Sequence, residues 1–130
     1  MSLEQHLPVV AGAGFIVATG AVALNGGRLP RGAWIAPALL SAAFFAWSLW
    51  AVIDEGPTGF WPEHTRNKWG AQIWFDLLLA VGAGWALIAR PAKELGMNLY
   101  AWLALTICTG SIGFLAMLSR YLRLRENVGD

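Results

Sequence analysis

The sequence predicts an all-α protein, a four-helix transmembrane bundle of antiparallel, up-down topology. Three observations carry that expectation. Hydrophobic residues make up 57% of the 130 residues and charged residues 13%, whereas a soluble domain carries about a quarter charged residues. The apolar residues fall in four long blocks rather than in alternating or amphipathic patterns, and each block is near the ~20 residues a helix needs to cross ~30 Å of hydrocarbon. Backbone groups in lipid must pair within their own segment, so a lone apolar block can cross only as a helix.

The first helix is expected over about 7–24, because no charge lies between His6 and Arg28. The residues ahead of it hold no Lys or Arg and carry Glu4, unlike the basic start of a cleaved signal peptide, so this block reads as a retained span. Asn25–Arg31 is a tight loop of turn-forming residues. The second helix follows over 33–53. The connection Asp54–Lys68 is the longest: Gly56-Pro57-Thr58-Gly59 reads as a turn and Phe60-Trp61-Pro62 as an aromatic segment at the interface. Thr65 or Asn67 suits the N-cap of the third helix, 69–89. Arg90–Glu94 leads to the fourth, 97–119, and Arg120–Asp130 continues as a basic helix end. The whole, 1–130, is one transmembrane domain with no internal repeat.

Aromatic residues favour the headgroup level. Trp50, Trp61, Trp69 and Tyr121 are expected at one face of the bundle, with Trp34, Trp85, Tyr100 and Trp102 near the other. Small residues four apart, such as Gly14 and Ala18, Ala80 and Gly84, or Thr109 and Gly113, let helices approach closely, either inside the bundle or against a partner. With four spans, Arg66, Lys68, Arg120, Arg123 and Arg125 share one side and Arg28, Arg31, Arg90 and Lys93 the other. Five against four is almost no bias. The dense tail favours both termini in the cytoplasm, and so small a bias also permits insertion in both orientations.

Asp76 is the single charge inside a block. It lies seven residues beyond Trp69, about 10 Å along a helix, where an ionised carboxylate costs at least ~2.5–3.5 kcal/mol and normally faces protein or water. Gln72 is one turn earlier on the same face. Counting depth from the same membrane face brings Ser48 and Ser111 to a similar level, with Thr109 slightly deeper. Asp76 as a catalytic group, with Gln72, Ser48, Ser111, Thr109 and Trp69 around a ligand, is the functional reading; a hydrogen-bonded packing aspartate is the structural alternative. Glu63, His64, Arg66 and Asn67 form the densest polar segment and could cap that layer from the water side, although a solvated loop with a capped helix start is the favoured reading. No metal site is expected, since zinc usually takes three or four well-spaced ligands and His6 is the only other histidine. The lone Cys108 makes no intrachain disulfide. No phosphate loop, nucleophile elbow or cofactor motif is present, and the scattered basic residues give no nucleic-acid surface.

The run Asn67-x-Trp69-x-x-Gln72-x-x-x-Asp76-Leu77, followed by Arg90, Gly96, Thr106, Gly110-Ser111-x-Gly113 and an Arg-rich tail, resembles a family of small bacterial four-span membrane proteins of unassigned function. The likeness covers roughly residues 63–125 and implies a bacterial cytoplasmic membrane. Asp76-Leu77 and the Gly/Ser-Gly pattern near residue 110 are similar, more distantly, to plant membrane proteins linked to neoxanthin formation. That likeness implies an isoprenoid or carotenoid connection, but Gly110-Ser111 stands where the plant pattern has Cys-Pro.

Three functional classes follow. The first is a non-catalytic membrane module that associates with a larger complex, as an accessory subunit or a homo-oligomer, or that holds an apolar ligand such as a carotenoid, quinone or lipid. The second is an intramembrane enzyme acting on an isoprenoid-like substrate, with Asp76 as general acid and Gln72 and Ser111 orienting it. The third is a small proton-coupled transporter working through Asp76.

Overall fold

The computed structural model describes residues 2–129, all of whose regular structure is helical. The chain forms two compact units, Met1–Arg31 and Gly32–Asp130. The first holds α1, Leu3–Leu24, a helix with no buried residue. Its one hydroxyl, Thr19 Oγ1, donates to the Phe15 carbonyl at 2.7 Å, so the apolar stretch after His6 carries no unpaired hydroxyl.

The second unit holds α2 (Ile35–Glu55), α3 (Phe60–Thr65), α4 (Lys68–Glu94), α5 (Leu99–Thr109) and α6 (Ser111–Val128). α2 ends where Gly56 takes φ +84°. α4 starts at Asn67, whose side-chain oxygen accepts from Gly70 N at 2.8 Å, one of the two caps, Thr65 or Asn67, that the sequence offers. It closes with Gly96 at φ +82° and Met97 N donating back to the Ala92 carbonyl at 3.0 Å, which satisfies carbonyls the helix end would leave open. Asn98 caps α5 through Tyr100 N and Ala101 N. Three helices, α1, α2 and α4, are long and apolar enough to cross a membrane, and α5 is a shorter apolar helix.

α6 is the centre of the second unit: α2, α4 and α5 all pack on it, whereas α2 and α4 share no helix–helix contact. Ser41 Oγ donates to the Ile112 carbonyl at 2.8 Å and Ser119 Oγ to the Trp34 carbonyl at 2.8 Å, both side chains being buried. Since residue 41 meets 112 and residue 34 meets 119, α2 and α6 run antiparallel. Beyond Ser119 the same seam continues: Arg123 lies over the Trp34 ring, 4.8 Å from its centroid, and both oxygens of Glu126 accept from Gly32 N at 2.9 and 3.1 Å. The apolar core gathers Ala92, Met97 and Met117, with Trp85, Ile88, Leu99, Trp102, Tyr121 and Leu124 against them.

The expected fourth helix, 97–119, is not continuous. Gly110 has φ +63° and ψ −126°, a combination open essentially to glycine, and the chain reverses there. A Cβ on Gly113 would lie 2.7 Å from the Leu105 carbonyl oxygen; eight residues of straight helix would hold the two about 12 Å apart. α5 and α6 are therefore an antiparallel hairpin. One consequence corrects a second expectation: Tyr121 sits with Leu99 and Trp102 at the Met97 end of the unit, not with Trp61 and Trp69.

Candidate functional site

The polar segment ahead of α4 folds as a compact aromatic knot. α3 has only six residues, too few to hold a helix alone, and it is held by stacking on α4. The His64 ring tilts over Trp74 with centroids 4.8 Å apart, Phe60 stacks on Trp74 at 6.1 Å, and Trp61 meets it edge-on at 6.4 Å. Such pairs contribute about 0.5–1.5 kcal/mol each beyond area burial. The two helices approach closely because residue 70 is glycine; a Cβ there would collide with the Glu63 carbonyl oxygen. Glu63 pairs with Arg66 at 3.0 Å, with both side chains largely exposed, so the pair adds little stability. Asn67 is engaged as the α4 cap and Trp69 stands out at 75% exposure. The loop candidates Glu63, His64, Arg66 and Asn67 thus come together, but as the solvated cap of a helix junction.

Asp76 and Gln72 share one face of α4, and both are exposed. Neither hydrogen-bonds the other among the described residues. Ser48 is on α2, which does not touch α4. Ser111 opens α6 at the hairpin tip, and the next turn of α6 meets α4 at Gly84, where a Cβ would meet the Phe114 ring. That contact is eight residues, about 12 Å, along α4 from Asp76. The depth count that joined Ser111 to Asp76 assumed a fourth span running out past Arg120, and the hairpin removes it. Thr109 is committed elsewhere: its Oγ1 donates to the Leu105 carbonyl at 2.7 Å and accepts from Gly113 N at 2.9 Å. Within this chain the structure does not gather Asp76, Gln72, Ser48, Ser111 and Thr109 into one polar layer.

Two features remain that can receive a partner. Trp69, Gln72, Asp76, Leu79, Ala83, Ala86 and Arg90 are all exposed on α4. They follow the alternating three- and four-residue spacing of a helix–helix seam, with Gln72 and Asp76 toward one end, Arg90 at the other, and Leu79, Ala83 and Ala86 between them. The second feature is an open groove of about 390 Å³ between α2 and α6, lined by Ala38, Ser41, Ala42, Phe45, Ile112, Ala116 and Ser119. Its two hydroxyls already donate to backbone carbonyls, so its walls present methyl groups and one aromatic ring. Sequence reading missed this groove. The signal was faint: Ser41 and Ser119 are single hydroxyls in apolar runs, and only the α2–α6 pairing brings them together. Trp74, the centre of the aromatic knot, was also missed, although Trp61, His64 and Trp74 are near enough in sequence to meet across a turn.

No group of three or more His, Cys, Asp or Glu able to hold a metal occurs among the described residues. No family model matches the chain, and neither a curated protein nor a solved structure matches it.

Proposed function

We propose that this chain is a small module of the bacterial cytoplasmic membrane that holds an apolar ligand, a carotenoid, quinone or lipid chain, and associates with other membrane subunits or with itself. The groove between α2 and α6 is the observation that carries the reading. Its volume of about 390 Å³ falls at the small end of the ~300–1,000 Å³ typical of ligand sites. Its lining is apolar, and its backbone carbonyls at Ile112 and Trp34 are covered by Ser41 and Ser119, so a hydrocarbon chain can lie there without stranding a polar group.

The exposed α4 seam supports the second half of the proposal. A carboxylate on the open side of an apolar helix is costly in lipid, and a partner helix that supplies a donor to Asp76 removes that cost. Among the described residues no side chain hydrogen-bonds Asp76, which supports the module over the enzyme.

Purification in a gentle detergent, followed by an absorption spectrum and mass spectrometry of everything retained, tests the proposal. An apolar molecule is expected to co-purify, and to be depleted at least several-fold in a groove-filling Ala42→Phe/Ala116→Phe variant. A lone, colourless, partner-free monomer would count against both halves of the reading.

A further inference from the structure

The hairpin changes which cations share an end of the unit. α2 begins at the end where Gly32 meets Glu126 and Trp34 meets Ser119. α4 finishes at that same end, because Ala92 and Met97 share a core with Met117, Tyr121 and Leu124. α5 leaves from there, reverses at Gly110, and α6 brings the tail back. With eleven residues, α5 reaches only about 16 Å, half of the ~30 Å hydrocarbon layer. Non-helical backbone at such depth is tolerated only where protein covers it. The turn meets that condition: Gly110 N donates to the Thr106 carbonyl at 2.6 Å, Gly113 N to Thr109 Oγ1, and Ser41 covers the Ile112 carbonyl.

We propose that α5 and α6 form a re-entrant hairpin, not a span, and that the end it enters from faces the cytoplasm. Arg90, Lys93, Arg120, Arg123 and Arg125 all lie at that end, and Arg66 and Lys68 are the cations of the opposite end. Five of the seven Lys and Arg residues of the second unit therefore sit at one membrane face, and the tail cations that a four-span reading sets beside Arg66 and Lys68 lie opposite them. Basic residues in short loops and beside span ends are retained in the cytoplasm, so this imbalance selects one orientation. It places α3, its aromatic knot and Asp76 toward the outer face. The groove, on the first half of α2, then belongs to the inner leaflet. The orientation holds whether or not the groove carries a ligand.

Site-directed labelling of the full chain in intact bacterial cells tests this, in a Cys108→Ala background. A cysteine at Thr58 is expected to react with a membrane-impermeant maleimide without lysis, and one at Asn127 only after lysis. As a second measurement, a green fluorescent protein fused after Asp130 should fluoresce, and alkaline phosphatase fused there should be inactive. Thr58 and Asn127 reacting from the same side would overturn the re-entrant hairpin. A labelled Asn127 with a protected Thr58, an active phosphatase fusion, or half-labelling of both positions would overturn the orientation.

Discussion

Gly110 decides the path of the chain from Leu99 to Val128, and it does so through one pair of backbone angles. At φ +63° and ψ −126° any side chain clashes with its own backbone, and holding a non-glycine residue in such a region costs about 1–3 kcal/mol. Gly110→Ala should lower the stability measured by equilibrium unfolding in mixed micelles by that amount. Gly82→Ala is the control, because Gly82 lies within α4 and a Cβ there meets nothing; it should be neutral or slightly stabilising, in line with alanine's higher helix propensity. Equal tolerance at both positions would contradict the turn. Asp76 illustrates the opposite kind of residue. Its presence in an apolar run was plain from sequence, but its surroundings were not. Depth along a helix can be counted, whereas the side of the helix that neighbours cover depends on which helices pack, and α2 does not reach α4.

Among the elements, α3 depends on tertiary contact more than any other. Six residues cannot pay the nucleation cost of a helix in isolation, so its stability rests on Trp74 and on the close approach at Gly70. In Trp74→Ala, amide hydrogen exchange over 60–65 should accelerate roughly tenfold, since the lost ring contacts are worth about 0.5–1.5 kcal/mol each. Exchange in α5, which Trp74 does not touch, should not change. Unaltered exchange in α3 would mean that the aromatic stacking does not hold it. The helices α1, α2 and α4 and the Asn67 cap were legible in the sequence because length, hydropathy and capping chemistry are local properties. The division of 97–119 was not. The run satisfied the length test for a span, and hydropathy carries no sign for chain direction, so a hairpin with two apolar arms reads like one helix. The Gly110-Ser111-x-Gly113 pattern is visible in the sequence, but glycines near small residues there read as close packing. Only the positive φ shows that the first of them is a turn, while Gly113 does serve the close approach, of α6 to α5.

For the second unit as a whole, one helix end matters more than any single contact. Ser119, Arg123 and Glu126 tie the last turns of α6 to Trp34 and Gly32 at the start of α2. They fix the basic tail to the end from which α5 departs. The charge distribution, the position of the groove and the separation of Asp76 from Ser111 all follow from that return. All of them fail together if the chain from Leu99 to Val128 is instead one rod. The most direct test is therefore a distance between the two arms, measured by pulsed electron–electron resonance on the full chain in lipid, with Cys108 replaced by alanine and spin labels at Tyr100 and Arg125. Both positions are exposed, Tyr100 at 86%. The hairpin predicts a separation below about 20 Å, on the order of two helix diameters. A continuous helix would hold the labels about 37 Å apart, and that result would contradict the fold, the orientation and the inner-leaflet groove at once.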